Sequence, residues 1–253
     1  MTPWDKYQYD LEQSGFEYDP AQENAVKELQ RLYDELTQPT KKVTWRVKIR
    51  AKFGKGMSKP SIQGIYFWGG VGRGKTYLVD TFYDCLPFEQ KMRIHFHRFM
   101  HRVHAELKTL SGQSDPLQIV AKRLASETNV ICFDEFFVSD ITDAMILGTL
   151  MEALFGHGIV LVATSNIIPN ELYRNGLQRA RFLPAIDLIN QNTRIVNVDS
   201  GVDYRLRTLE QAEIYHYPLD VAATENLHAY FKQLAPDEGR KNTTIEIENR
   251  HIP

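Results

Sequence analysis

The sequence predicts an α/β fold in which a five-stranded parallel sheet is flanked by helices. Three observations predict this class. From residue 62 onward, strand-like apolar runs alternate with helix-like stretches, which is typical of a parallel sheet with helices on both faces. A glycine-rich loop joins the first of these strands to the helix that follows it. A later strand ends in two acidic residues, and open α/β sheets bind ligands at the carboxyl ends of their strands.

Amino-acid composition and charge indicate what kind of protein has this fold. The 253 residues are 43% apolar and 25% charged, and 30 Lys and Arg against 32 Asp and Glu leave a formal charge of -2. Any attraction for nucleic acid or anionic lipid would therefore be local. The sequence shows no signal peptide, no apolar run near the ~18 residues of a membrane span, and no metal or redox spacing around Cys85 and Cys132. These features predict a soluble cytoplasmic protein.

Residues 1–61 are predicted to form a helix and a basic linker. Asp19, Pro20 and Gln22 have the pattern of an N-cap, a first-turn proline and the third position of a capping box, and apolar residues then recur with helical period. The linker is interpreted either as a contact for anionic lipid, nucleic acid or an acidic protein, or as a solvated loop. It holds eight basic residues and no acidic one: Lys41, Lys42, Arg46, Lys48, Arg50, Lys52, Lys55 and Lys59.

Residues 62–200 are predicted to form the α/β core, and residues 201–253 a C-terminal region. The core strands are expected at Ile62 to Trp68, Arg93 to Phe96, Val130 to Phe133, Ile159 to Ala163 and Arg194 to Val198. The core helices are expected at Lys75 to Leu86, Arg98 to Leu110, Pro116 to Glu127, Ile141 to Phe155 and around Pro169 to Asn190. In the C-terminal region, helices are expected at 208–216 and 222–234 and a strand at Thr244 to Glu248. Because that strand runs almost to the last residue, the region is predicted to be cut short.

The strongest motif is a phosphate-binding loop, GGVGRGKT, which matches G-x-x-x-x-G-K-[ST] between a strand and a helix. Its glycines let backbone N–H groups curl around a phosphate, and the following helix points its positive end at the same anion. We expect Lys75 to reach the β- and γ-phosphates and the Thr76 hydroxyl to bind Mg²⁺. The alternative is a glycine-rich turn with a chance Lys-Thr pair. The residues expected to contact the nucleotide are Gly69, Gly70, Val71, Gly72, Arg73, Gly74, Lys75, Thr76 and Tyr77.

The acidic pair Asp134 and Glu135 follows a buried strand. We expect Asp134 to hold Mg²⁺ through water and Glu135 to polarise the attacking water as general base; two solvated acids are the alternative. An extra strand lies between the loop and this pair, as in the AAA+ and related additional-strand, catalytic-glutamate division of P-loop NTPases. No N-K-x-D guanine motif is present, so adenine is the expected base.

Two further polar positions are candidates for catalysis. Asn166 follows the strand after the acidic pair, where AAA+ proteins place sensor 1, and would orient the γ-phosphate or the lytic water. Its alternative is an ordinary strand-to-turn cap. Arg181 precedes the last core strand, where AAA+ proteins present an arginine finger to a neighbouring subunit, with Arg179 and Arg174 behind it as candidates. Their alternative is an exposed basic face.

Four histidines cluster between residues 95 and 104 without an H-E-x-x-H pattern or a nearby cysteine, so a metal site is the weaker interpretation. A contact surface for a partner or substrate is favoured. It would combine His95, His97, His101 and His104 with Arg93, Arg98, Arg102, Phe96 and Phe99.

Several strings together resemble the AFG-like ATPases: Gly69 to Thr76, His95 to Met100, Cys132 to Phe136, Asp140 to Ala144, Ala163 to Asn166, Leu172 to Arg179 and Val202 to Arg205. The resemblance implies an AAA+-type ATPase that uses ATP and Mg²⁺ on a protein target, with Lys75, Thr76, Asp134 and Glu135 at nucleotide and hydrolysis positions. It implies a homo-oligomer, a hexamer being one arrangement, in which Arg181 acts in trans.

The resemblance also implies a target and a location. Bacterial members destabilise polymers of the division protein FtsZ at the septum, and mitochondrial members act in quality control at the inner membrane. Recruitment of a cytoplasmic protein to the septum or inner membrane, with Lys41 to Lys59 touching the membrane surface, is therefore expected. The family continues past the position of Pro253, so a C-terminal part is expected to be missing here. The alternative functions are a nucleic-acid-directed ATPase of the helicase-loader type and a membrane-protein quality-control ATPase.

Overall fold

The computed structural model describes residues 1–13, 18–37, 62–199, 221–234, 245–247 and 250–252. The basic segment Lys41 to Lys59 and the predicted helix at 208–216 lie outside the described residues. The chain divides into two compact units, Met1–Val202 and Asp203–Pro253. A boundary between residues 61 and 62 stays a prediction.

The first unit is built on one parallel sheet of five strands, which confirms the predicted fold class. Along the sheet the strands run in the order β2-β3-β4-β1-β5. The strand β4 therefore lies between β1, which leads into the phosphate loop, and β3, which ends at the acidic pair. The strands are β1 (Gly64–Trp68), β2 (Lys91–His95), β3 (Val130–Asp134), β4 (Val160–Ser165) and β5 (Thr193–Asn197).

Seven helices of the described residues flank this sheet, and the first of them was not predicted. Thr2 caps it: its hydroxyl accepts a hydrogen bond from the Asp5 N–H at 3.2 Å, and the Asp5 carboxylate accepts one from the Thr2 N–H at 3.1 Å. The helices are α1 (Pro3–Leu11), α2 (Pro20–Thr37), α3 (Lys75–Cys85), α4 (Phe96–Thr109), α5 (Pro116–Glu127), α6 (Ile141–Gly156) and α7 (Leu183–Asn192).

Both faces of the central strands β1, β3 and β4 are buried, because successive residues of each of these strands enter different cores. Ile65 and Phe67 of β1 pack with α1, α2 and α3, whereas Tyr66 between them packs on the opposite face. That opposite core is rich in aromatic rings, among them Phe96, Phe99, Phe133 and Phe136. The predicted strand Arg93 to Phe96 is therefore wrong at its end, since Phe96 begins α4 and is buried.

The predicted helix around Pro169 to Asn190 is also wrong over its first half. Two short 3-10 turns, Pro169–Glu171 and Arg179–Arg181, precede α7. Tyr173 and Gln178 have positive φ values of 52° and 57°, and an α-helix cannot pass through residues in this conformation.

Gly64 marks a close approach of β1 to β4. A Cβ at this position would lie 1.9 Å from the carbonyl oxygen of Leu161, which is well inside van der Waals contact. Glycine is therefore required for the two strands to pair at this distance.

The second unit contains α8 (Val221–Leu234) and an antiparallel pair, β6 (Ile245–Ile247) and β7 (Arg250–Ile252). Among the described residues of the whole chain, no helix combines the length and the apolar character that crossing a bilayer requires.

Candidate active site

The phosphate loop connects β1 to α3 and ends in a left-handed residue. Gly74, with φ 75°, is the N-cap of α3, so the loop turns directly into the helix and the first-turn N–H groups face its interior. The Lys75 ammonium donates to the carbonyl oxygens of Gly69 at 2.7 Å and Gly70 at 2.6 Å. Lys75 is therefore folded over the loop, where a phosphate group would lie.

An acid after β5 is bonded to the same loop. The Asp199 carboxylate accepts a hydrogen bond from the Gly70 N–H at 3.3 Å, and its other oxygen lies 2.9 Å from Arg73 Nε. Asp199 was not predicted as a site residue. The only sequence signal was its position directly after a core strand, at the same edge of the sheet as the loop.

Asp134 is paired with an arginine from the neighbouring strand. Arg93 Nε lies 2.8 Å from one Asp134 oxygen and Nη2 lies 3.3 Å from the other, while Nη1 contacts Asp80 of α3. Arg93 was expected on a partner surface; that expectation is wrong because its guanidinium turns inward between two carboxylates. Arg93 therefore orients Asp134 and connects β2, β3 and α3.

Glu135 is held by backbone bonds to β4 while its side chain is exposed. Its φ of 54° is unusual for a residue with a Cβ. The Glu135 N–H donates to the Thr164 hydroxyl at 3.2 Å, and the next N–H, that of Phe136, donates to the Thr164 carbonyl at 2.7 Å. The turn is thus fixed, and the carboxylate points away from the core.

The end of β4 is also fixed by hydrogen bonds. The Ser165 hydroxyl donates to the Phe136 carbonyl at 2.7 Å and accepts from the Ile167 N–H at 3.1 Å. Asn166, between Ser165 and Ile167, is exposed. Because β4 pairs with both β1 and β3, Asn166 follows a strand that lies between the two motifs.

The three candidate arginines differ in their partners. Arg174 forms an ion pair with Glu171 at 2.7 Å, and Arg179 donates to the Asn170 carbonyl at 2.7 Å. Arg181 is exposed; its backbone N–H donates to the Gln178 carbonyl at 2.9 Å, but its guanidinium makes no hydrogen bond or ion pair with any residue in the described part of the chain. Of the three, Arg181 is the one whose guanidinium has no partner among the described residues.

The two residues after Lys75 face different surroundings. Thr76 is exposed in the first turn of α3. The Tyr77 hydroxyl donates to Asp10 of α1 at 2.7 Å, and burial, followed by this bond, raises the pKa of Tyr77 above its usual range. A nucleotide contact by Tyr77 stays a prediction.

The side chains of Thr76 and Asp134 offer the hard oxygen donors that Mg²⁺ prefers. Thr76 is exposed, and the Asp134 side chain retains 14% of its accessible surface despite its pairing with Arg93. These residues fit the predicted ion, which would supply positive charge to offset the negative charge of the phosphates when a nucleotide is bound.

The histidine cluster separates into two groups. His104 bonds Asp143 at 2.6 Å, whereas His95, His97 and His101 are exposed together with Arg98. Phe96 and Phe99 were expected on this surface but are buried, and Arg102 is paired with Glu106 and Glu127. No three His, Cys, Asp or Glu of the described residues are arranged to hold a metal.

Neither cysteine has the properties of a reactive thiol. Burial raises the pKa of Cys132 to about 12 and also raises that of Cys85, so both thiols are neutral at physiological pH.

Comparison with known proteins finds relatives that match the whole of this chain. The family model of AFG1-like ATPases matches residues 1–253. The chain is 52% identical over 258 aligned residues to "Cell division protein ZapE" of Escherichia coli strain K12, covering 100% of this chain and 69% of the relative. It is 44% identical over 204 residues to "Lactation elevated protein 1 homolog B" of Danio rerio, covering 75% of this chain and 41% of that protein.

Two solved structures share the fold. A DNA replication initiation factor has a TM-score of 0.52 at 13% identity, with 90% of this chain and 65% of that chain covered. AMPPCP-bound DnaA from Aquifex aeolicus has a TM-score of 0.50 at 12% identity, with 84% and 57% covered. At these identities the likeness concerns the fold alone, and it confirms the predicted P-loop fold of the AAA+ type.

Proposed function

This chain belongs to the AFG1-like ATPase family and is an ATP hydrolase, and we propose that it couples Mg²⁺-dependent hydrolysis to the remodelling of a protein target. The observation that supports this most directly is the arrangement at the carboxyl edge of the sheet. There β4 lies between the strand leading to Lys75 and the strand ending in Asp134 and Glu135.

In the proposed mechanism the loop N–H groups and the Lys75 ammonium bind the β- and γ-phosphates. Glu135 accepts the proton of the attacking water, since its carboxylate is exposed while its backbone is held by Thr164. Asn166 orients that water or the γ-phosphate. Arg181 of a neighbouring copy stabilises the charge that develops on the phosphoryl oxygens, since its guanidinium is exposed and has no partner in the part of this chain that the structure describes.

The proposed target is FtsZ, whose polymers would be destabilised at the division septum. Support for this choice comes from the relative named "Cell division protein ZapE", which is 52% identical to the whole of this chain. The exposed surface formed by His95, His97, Arg98 and His101 is a candidate contact for an acidic target, because it spans the end of β2 and the start of α4, and the first turn of α4 has no acidic residue.

The test is sedimentation of FtsZ polymers with this protein and ATP. We expect less polymer in the pellet with ATP, and no change with ADP or with the Glu135→Gln variant. The matched control is Glu171→Gln, an exposed glutamate elsewhere on the first unit. Wild-type protein that hydrolyses ATP but leaves the polymers intact would show that FtsZ is not the target.

The same exposed surface favours a second candidate, an ATPase directed to nucleic acid. Phosphate contacts release counterions, so binding of single-stranded DNA would weaken steeply with salt. Binding at moderate salt that is lost in an Arg98→Ala variant would favour this candidate, and undetectable binding at low salt would exclude it.

A further inference from the structure

Gln22, in the first turn of α2, has a buried side-chain amide whose oxygen is left without a partner by the described residues. The residue is 4% exposed, and no described residue donates a hydrogen bond to its Oε1 atom. The reciprocal capping-box bond expected from the sequence is therefore not made. A buried polar atom without a partner costs free energy, whereas an apolar side chain of similar size would avoid that cost.

The Gln22 amide lies directly against the phosphate loop. A Cβ on Gly74 would be 2.5 Å from Gln22 Nε2, and Gly74 is the residue immediately before Lys75. Gly74 therefore leaves space that the Gln22 amide occupies, at the border of the predicted nucleotide site. An amide group with an unused acceptor at this position points to a ligand that brings a donor.

The chemistry of the amide selects among bases. A carboxamide offers one acceptor and one donor side by side, and the N6 amino group and N7 of adenine offer the complementary donor and acceptor. Guanine has two acceptors, O6 and N7, at the same edge, so the amide oxygen would face another oxygen. The terminal amide also rotates readily about χ3, which allows either of its atoms to face the loop.

We propose that Gln22 is the residue that selects ATP over GTP, through a two-point contact between its side-chain amide and the adenine edge. The proposal rests on the proposed binding of ATP at the phosphate loop. It gives helix α2, which precedes the sheet in the sequence, a part in substrate recognition.

The experiment measures equilibrium binding of ribose-labelled fluorescent ATP and GTP to the full chain, with Mg²⁺. Wild-type protein is expected to prefer ATP. Gln22→Met is expected to weaken ATP binding by about tenfold to a hundredfold, the loss of one good bidentate base contact, while GTP binding changes little. Thermal unfolding without nucleotide should be unchanged or improved, since an unsatisfied buried oxygen is removed.

The matched control is Gln30→Met on the same helix. Gln30 accepts from the Trp4 N–H at 3.0 Å and donates to Asp34 at 2.8 Å. This variant should lower thermal stability and keep the preference for ATP. The ligand 7-deaza-ATP, which lacks the N7 acceptor, should bind wild-type protein more weakly than ATP, a result that needs no variant to fold.

Different results would overturn the role of Gln22 and the binding of nucleotide at the phosphate loop. A Gln22→Met variant that keeps the wild-type ratio of ATP to GTP affinity would overturn it, as would equal binding of ATP and 7-deaza-ATP by wild-type protein. Wild-type protein that binds neither ATP nor GTP would instead overturn nucleotide binding at the loop.

Discussion

The turn after β3 and the segment after β4 both carry predicted catalytic residues, but the two regions are held in different ways. Around Asp134 and Glu135, Arg93 and Thr164 contribute an ion pair and side-chain hydrogen bonds from neighbouring strands. The segment 171–182 is anchored by Leu172 and Phe182, which are buried in the core, while Arg181 is exposed and its guanidinium has no partner among the described residues. Groups that act within one subunit need fixed positions, whereas a group offered to a neighbour needs exposure.

The largest expected effect is that of Glu135→Gln. Without a general base, turnover should fall by roughly 10³-fold while ATP still binds, because the backbone bonds of the turn do not involve the carboxylate. Phosphate release and nucleotide binding, measured on the same preparation, check this. Glu171→Gln should keep wild-type turnover. Wild-type turnover in Glu135→Gln would show that Glu135 is not the general base.

The next effect in size is that of Arg181→Ala. Loss of a group that stabilises transition-state charge should lower turnover by roughly 10²-fold with ATP binding retained. Arg174→Ala is the control, since Arg174 already has a partner in Glu171. Oligomers that mix two variants then test whether Arg181 acts on the site of a neighbouring subunit.

An oligomer of Arg181→Ala and Glu135→Gln subunits should regain part of the wild-type rate, because some sites then combine an intact base with a neighbour's intact arginine. Inactive mixtures, formed under conditions where wild-type subunits exchange, would argue that Arg181 does not act across the interface.

The smallest expected effect is that of Thr164→Val. Its hydroxyl accepts from the Glu135 N–H and lies 3.4 Å from the Phe133 carbonyl. Its loss should reduce the unfolding free energy by about 1 kcal/mol and turnover roughly tenfold, since the turn loosens without losing its carboxylate. Thr164→Ser, which keeps the hydroxyl, should stay near wild type in denaturant melts and turnover. Full activity in Thr164→Val would mean that the backbone alone fixes Glu135.

Much of the fold followed from local patterns. Apolar runs predicted β1, β3 and β4 because these strands are short and buried on both faces, and the loop motif predicted the turn into α3. The edge strands β2 and β5, which were also predicted, are less buried. The helix α1 was missed although Thr2 and Asp5 form a capping box, since so short a segment shows little periodicity. The 3-10 turns were missed because Tyr173 and Gln178 have positive φ although neither is a glycine or an asparagine, so the sequence does not mark them as turn positions.

Residues of the candidate site were predicted where they belong to a motif or directly follow or precede a predicted strand, and missed where only the folding of the chain brings them to the site. Lys75 and Thr76 belong to one motif and Asp134 and Glu135 to another, whereas Arg93 joins the site through strand pairing. The sequence does not show whether the side chain of a basic residue such as Arg93, in a strand that leads into an exposed region, faces the site or the solvent. Gln22 was recognised as a helix-start residue, and only the folded chain brings it to Gly74.

The close approach at Gly64 has an evolutionary consequence. Even alanine would push β1 away from Leu161, and β1 carries the phosphate loop while β4 carries Thr164 and Asn166. Selection on hydrolysis therefore acts on a residue that touches neither nucleotide nor water. Any replacement of Gly64 should therefore be poorly tolerated in this family, and a variant found at Gly64 in a genome should be scored as damaging.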